Sequence, residues 1–285
     1  MVGCGDIALR VAQLLRMRYH LLGLVRSTAR FDELRAAGIT PVLGDLDDAG
    51  SLCRLAGLAH VMLHFAPPPN AGARDTRTQN LIAALSRGTL PKRLIYISTS
   101  SVYGDCAGAL VSETHPLHPQ SERAQRRADA EQQIRGWAKR NPVNASILRV
   151  PGIYAADRLP LDRLHAGIPA ILEDEDSYTN HIHANDLAHI VVAALRHAKP
   201  NRVYHASDDS KLKMGDYFDL VADACGLPHP PRLARAEVQR TVSPMLWSFM
   251  NESRRLTNQR MKQELKTMLC YPTVNGALKT LIKPT

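Results

Sequence analysis

The sequence contains no apolar run approaching the ~20 residues that a membrane-spanning helix needs. It opens Met-Val-Gly-Cys-Gly-Asp, without the basic and apolar regions of a secretory signal. A cytoplasmic protein with no membrane partner is therefore expected. Cysteine is sparse as well. Cys4, Cys53, Cys106, Cys225 and Cys270 are odd in number, far apart and form no C-x-x-C, which argues against a disulfide framework and a zinc site. Reduced, mostly buried thiols and no bound metal are the expectation. Also missing are internal repeats, low-complexity stretches and any helix-turn-helix or RNA-binding signature.

What remains is a core-forming chain: 45% apolar and 22% charged residues over 285 positions, room for two domains of about 150 residues or one large α/β unit. The net charge is +9, and from Leu227 onward ten lysines and arginines face only Glu237, Glu252 and Glu264, so the remainder is nearly neutral. These basic residues alternate with apolar ones. A solvated basic face, or a lobe that attracts a phosphorylated small molecule, fits that pattern better than nucleic-acid binding.

Apolar periodicity predicts alternating helices and strands up to residue 150. A helix opens at Gly3–Ala8, with Ile7, Val11, Leu14 and Leu15 on its apolar face. Strands are predicted at His20–Val25, Thr40–Leu43, His60–Phe65, Arg93–Ser98 and Ala145–Val150, and helices at Phe31–Ala37, Thr76–Leu85 and Ser121–Lys139. Such alternation implies an α/β fold with a Rossmann-type, doubly wound parallel sheet. Beyond Pro151 a strand at Asn180–His183, a helix at Asp186–His197 and a strand at Arg202–Ala206 follow, then helices at Met214–Ala224, Leu246–Arg255 and Asn258–Leu265. The expected division is a dinucleotide-binding domain of residues 1–152 and 179–206, and a smaller, mainly helical C-terminal substrate lobe of residues 153–178 and 207–285. A cleft between such lobes is where a small-molecule substrate would bind.

Gly3-Cys4-Gly5-Asp6-Ile7-Ala8 matches G-x-G-x-x-G/A. Gly3 permits the tight turn, Gly5 lets the backbone approach a pyrophosphate, and Ala8 allows close helix packing, while the first amides, around Asp6 and Ile7, receive the phosphates. Arg26 falls 23 positions after Gly3, at the end of the second strand. An acid there would read the ribose of NAD, whereas a basic residue suits the 2′-phosphate of NADP, with Arg30 one turn later as its partner. NADP(H) is therefore preferred, with NAD(H) as the alternative. Asp45 and Leu46 end the third strand, where Asp45 either accepts the adenine amino group or caps the helix beginning near Asp48. Ala66, before Pro67-Pro68-Pro69, is expected beside the nicotinamide half. Only Met1 and Val2 precede the first glycine, fewer than the ~5 residues of a Rossmann first strand, which reads as a chain whose true N-terminus lies upstream.

The run Leu94-Ile95-Tyr96-Ile97-Ser98-Thr99-Ser100-Ser101-Val102-Tyr103-Gly104-Asp105 resembles the fifth strand and following loop of the extended short-chain dehydrogenases/reductases, the nucleotide-sugar epimerase/dehydratase group. Arg149-Val150-Pro151-Gly152-Ile153-Tyr154 is similar to the family's R-x-x-x-(I/V)-Y segment. Asn180 to Ala188 is similar to its h-I-H-V-x-D-L-A segment, and Tyr204 to Asp208 to its closing strand. The resemblance implies a Y-x-x-x-K pair on the helix Ser121–Lys139, yet none of the eight tyrosines has a lysine four residues later. Counted from Glu131, which resembles the family's helical Glu, the tyrosine position falls on Arg123 and the lysine position on Arg127. Arginine, with a pKa above ~12, is a poor proton shuttle, although Arg127 can anchor a ribose or phosphate. The chain thus resembles the atypical branch of the family.

Thr99 occupies the family's upstream hydroxyl position, and Tyr103 and His183 are the remaining candidates for acid/base chemistry, with Tyr154 lining the substrate lobe. His181 and His183 share a strand face, but no Cys or third His at ligand spacing completes a metal site. Asp186 reads as a helix N-cap. Two functions are carried forward: an NADP(H)-dependent oxidoreductase or epimerase-like enzyme acting on a small sugar-like or phosphorylated substrate, and a catalytically inactive NADP(H)-binding sensor or regulatory subunit. The family suggests a homodimer through helix Ser121–Lys139, but the arginines at 123, 126, 127 and 135 favour a monomer equally.

Overall fold

Short Val-, Leu- and Ile-rich runs become parallel strands that helices bury on both faces. The computed structural model describes residues 1–281. Its main sheet runs Ile39–Leu43, Leu21–Val25, Val61–His64, Arg93–Thr99, Asn144–Val150, Arg202–His205, all parallel, with Val2 bridging Leu24 on one side and His64 on the other. Val2 therefore sits where a doubly wound sheet places its central first strand. Backbone bonds hold it there: Val2 N donates to Leu63 O (2.8 Å), Leu24 N to Met1 O (2.9 Å) and Phe65 N to Val2 O (2.8 Å).

Helices Asp6–Leu15 and Ala184–His197 pack together on one face, joining Val11, Ala12 and Leu15 to Leu187, Val191 and Ala194. Thr76–Leu85 and Glu122–Arg140 cover the other through Leu81, Leu85, Ile134 and Trp137. Helix Gln259–Leu265 also returns to the main sheet, burying Met261 and Leu265 beside Ala184–His197, so this part of the C-terminal region packs with the main sheet and not with the second core.

The remainder forms a second core around Tyr154, Leu164, Tyr217, Phe218 and Val221. It is threaded by two- and three-residue strands, among them Gly152–Tyr154 paired with His181–His183, and Ala170–Ile171 paired with Arg232–Leu233. The strand at 181–183 thus pairs outside the main sheet, and the lobe is mainly helical with these short strands between its helices. The helix expected at Leu246–Arg255 instead spans Pro244–Met250. Ser243 caps it and Pro244 starts it, as proline at a first helical turn does, after which Arg255–Leu256 extends to pair with Leu110–Val111. Cysteine burial also differs from expectation. All five thiols are free, but only Cys4 is buried, while Cys53 and Cys270 are exposed.

Helix Glu122–Arg140 is largely charged, and its hold on the sheet is polar as well as apolar. Buried Glu131 accepts from Arg149 Nη2 (2.6 Å) and Nε (3.1 Å) and from Ser98 Oγ (2.6 Å). Removing one partner leaves the other charge buried and unpaired. Arg149→Met is therefore expected to lower unfolding free energy by about 3–5 kcal/mol, and Glu131→Leu combined with Arg149→Met to recover much of it. Urea unfolding of the three variants measures this; a single-variant cost below about 1 kcal/mol, the size of a surface pair, would refute it.

Candidate functional site

Two cavities lie side by side above the strand ends, separated by the short strand Gly152–Tyr154: Gly152 lines one and its neighbour Ile153 the other. The first, about 490 Å³, is lined by Gly3, Gly5, Asp6, Ile7, Ala8, Arg26, Arg30, Asp45, Leu46 and Ala66. Gly3 has φ +85°, and a Cβ there would lie 2.5 Å from Ala66 N, so the turn accepts only glycine. Gly5 is different. A Cβ on it would meet nothing within 4 Å, so protein packing does not demand glycine here, and the open space lies over the start of helix Asp6–Leu15. Gly5 caps that helix with no side-chain bond, leaving the first amides directed at the cavity, the arrangement that receives a pyrophosphate.

The flanking charges are ordered. Burial works to raise the Asp6 pKa, but hydrogen bonds from Arg158 (2.8 Å) and Arg10 (2.7 Å) outweigh it and hold the carboxyl below its usual range. Arg26 is exposed at its strand end and makes no hydrogen bond or ion pair among the described residues. Arg30 lines the same cavity but is committed to Glu33 by two bonds of 2.7 and 2.8 Å, so it is less available to a phosphate than its spacing suggested. Asp45 accepts from Asp47 N (3.0 Å), while Asp48 caps the following turn. Arg77 and Arg158 also line the cavity, and no sequence pattern had singled them out.

The second cavity, about 560 Å³, contains Thr99, Arg123, Arg127, Arg163, Tyr178, His181, Phe249, Glu252 and Arg254. Thr99 ends its strand here, its Oγ accepting from Ser101 N (3.3 Å) and its hydroxyl hydrogen left to donate. Arg127 lies in this cavity and not beside the glycine turn, with Nη1 donating to Tyr96 Oη (3.0 Å) and Ile97 O (2.8 Å). Arg123 stacks on Phe249 at 3.9 Å, and burial lowers its pKa. Arg163 stacks on Phe218 at 4.1 Å and is pulled down by burial to about 10. Arg254 pairs with Glu252 (2.8 Å), the one acid among the lining residues. Desolvated guanidinium groups with so little carboxylate nearby make a site for an anion. Arg163, Arg254 and Tyr178 reach the cleft from the C-terminal lobe, and no motif announced them.

Three expected site residues lie elsewhere. Tyr103 is fully buried and lines neither cavity; its hydroxyl accepts from Arg149 Nη1 (2.5 Å) and meets His205 Nε2 (2.6 Å), and burial raises its pKa to about 12, away from proton transfer at neutral pH. His183 lies in the interior with its ring 3.9 Å from Tyr271 and its Nδ1 accepting from Asn185 N (3.3 Å), so it caps the helix that Asp186 was expected to cap. Tyr154 is fully buried behind the wall, edge-on to His181 and His183. Of the two strand histidines, His181 is the one that lines the cleft; it stacks on Tyr217 (4.1 Å) and burial takes its pKa to about 3.

A glycine turn at a helix start, set in a parallel sheet beside a polar cleft, defines an NAD(P)-binding Rossmann protein. The model of the NAD dependent epimerase/dehydratase family matches residues 9–207, and the chain belongs to that family. It is similar to an uncharacterized protein of Schizosaccharomyces pombe, 26% identical over 235 residues and covering 76% of each chain. Among solved structures, a functionally unknown conserved protein from Silicibacter pomeroyi superposes with TM-score 0.79 at 28% identity, over 98% of this chain and 96% of that one. A dTDP-glucose 4,6-dehydratase from Streptomyces venezuelae, with NAD and TYD bound, shares the fold at TM-score 0.78 and 21% identity, over 98% and 94%.

Behind His181, burial pushes the Asp208 carboxyl up to about 7. A folded-state pKa above the unfolded one contributes stability that is full at low pH and is lost as pH rises through about 7. Asp208→Asn should therefore flatten the fall in stability between about pH 4 and about pH 7, an effect on the order of 4 kcal/mol. Melting curves across that range test it, and parallel wild-type and variant profiles would show that Asp208 titrates normally.

Proposed function

We propose that this protein is an NADP(H)-dependent oxidoreductase or epimerase-like enzyme of the atypical branch of its family, acting on a small phosphorylated or sugar-like substrate. The observation that carries this is the pairing of cavities: a glycine-turn cradle whose strand-end residue is the unengaged Arg26, beside a cleft holding Arg123, Arg127, Arg163 and Arg254. The cofactor supplies hydride chemistry when bound. The helix amides hold its pyrophosphate, and Arg26 meets a 2′-phosphate. In the cleft, Arg163 and Arg123 bind the substrate anion, and the Thr99 hydroxyl donates to the reacting oxygen. Tyr178, the one tyrosine in the cleft lining, is the side chain suited to exchange the proton.

A specific observation also favours a second function. Arg123 and Arg127 stand where the family pattern counts its tyrosine and lysine, so the helix offers charge and no proton, as a cofactor-sensing protein would tolerate. Turnover separates the two.

With NADPH at a hundred times its dissociation constant, stabilisation should reach about 2.7 kcal/mol, with a smaller shift for NADH and a reversed preference in Arg26→Glu. A greater shift with NADH would overturn the role of Arg26. NADPH consumption should appear with phosphorylated carbonyl compounds, and Arg163→Gln should raise KM by roughly 10- to 100-fold, the worth of a charged hydrogen bond. Thr99→Val and Tyr178→Phe should lower kcat. Cofactor binding without turnover across such compounds would favour the sensor.

A further inference from the structure

Outside both cavities, the fold brings together three side chains of metal-binding type that are far apart in sequence. Asp186 and His189 lie one turn apart on helix Ala184–His197, and Cys270 arrives from the segment after Gln259–Leu265. The carboxylate oxygen, imidazole nitrogen and Sγ all lie within 4.8 Å of one another, with Asp186 buried and His189 and Cys270 exposed. We infer that Asp186, His189 and Cys270 form a site for a borderline divalent cation of the zinc class, completed by water.

The donor set is selective. Thiolate and imidazole prefer Zn²⁺ over Mg²⁺ or Ca²⁺, and one carboxylate with one thiolate neutralises a doubly charged ion. Asp186 is already oriented: its two oxygens accept from Cys270 N and Tyr271 N, each at 2.8 Å, which fixes the carboxylate and brings the cysteine to it. Each oxygen keeps a lone pair for a metal. Ligands sharing a zinc ion stand about 3.5 Å apart, a closure that small rotations of the exposed His189 and Cys270 side chains supply. A thiol binds a cation as thiolate, so binding releases the thiol proton to solvent and affinity falls as pH falls. None of the three residues lines the cofactor cavity or the cleft. The ion would clamp the C-terminal segment to the helix that packs against Asp6–Leu15, a structural role independent of the proposed reaction.

Cobalt(II) chloride titrated into the full chain should produce a thiolate-to-metal charge-transfer band saturating at one equivalent and displaced by zinc chloride. The band should vanish in Cys270→Ser and persist in Cys53→Ser, whose thiol is exposed elsewhere. His189→Ala should weaken binding roughly tenfold or more, at least the cost of losing an outer-shell partner. In the wild-type chain, zinc should protect Cys270 from iodoacetamide while Cys53 continues to react, a readout that needs no variant to fold. Absence of the band, its survival in Cys270→Ser, unchanged affinity in His189→Ala, or equal alkylation of Cys270 with and without zinc would overturn the site.

Discussion

The bidentate contact between Arg149 and Glu131 lies at the point where helix, sheet and loop meet. Burial works against the charge on Arg149, but the Glu131 hydrogen bonds and field outweigh it and raise its pKa. Arg149 also donates to Tyr103 Oη and Glu113 O, and Glu131 accepts from Ser98. One pair therefore ties helix Glu122–Arg140, strands Arg93–Thr99 and Asn144–Val150, and the turn after Thr99 into a single rigid unit. Charges removed from water are tolerated because nearly every polar atom around them is engaged. The outcome for the site is positional: Thr99 follows directly on Ser98, and Arg123 and Arg127 project from the helix that Glu131 anchors.

The same network explains why Tyr103 is not available for chemistry. A phenol held between a guanidinium and an imidazole already has its bonds satisfied. His205 donates through Nδ1 to Thr257 O (2.8 Å), which leaves Nε2 to accept from the Tyr103 hydroxyl. Burial keeps His205 near pKa 3, so the tyrosine faces a neutral acceptor and remains protonated. Tyr103 is a bolt between the loop and the last strand of the sheet.

The fold was legible because its information is local. Gly3 and Gly5 announce a turn and a cradle by their own stereochemistry, and strand runs such as Leu94–Ser98 carry their burial in their composition. Arg26 could be placed by counting from Gly3. Tyr103, His183 and Tyr154 were misassigned because the pattern that marked them also marks buried positions, and their partners Arg149, Tyr271 and His181 are set by tertiary packing. Arg163, Tyr178 and Arg254 escaped notice for the complementary reason. Arg163 and Tyr178 sit on elements too short to show periodicity, the helix Leu161–His165 and the strand Tyr178–Thr179, and Arg254 lies between elements, so only the return of the C-terminal lobe brings them into the cavity with Thr99. Cys270 is the extreme case, 84 residues beyond the Asp186 carboxylate that its amide meets.

Charge links the two cavities. Anionic ligands held in the two cavities would lie on either side of one short strand. Like charges held near one another repel unless counter-charge is built into the walls. The cleft supplies four arginines against Glu252 alone, and the cofactor cavity supplies Arg26 unengaged while Arg10 and Arg158 offset Asp6. Stacking on Phe249 and Phe218 lets Arg123 and Arg163 stay desolvated without carboxylate partners of their own, so their charge is available to a ligand. An excess of positive charge, +9 over the chain, is consistent with ligands that bring the opposite sign. Arg123 and Arg127, both on helix Glu122–Arg140, therefore give the cleft a fixed positive face suited to holding an anion.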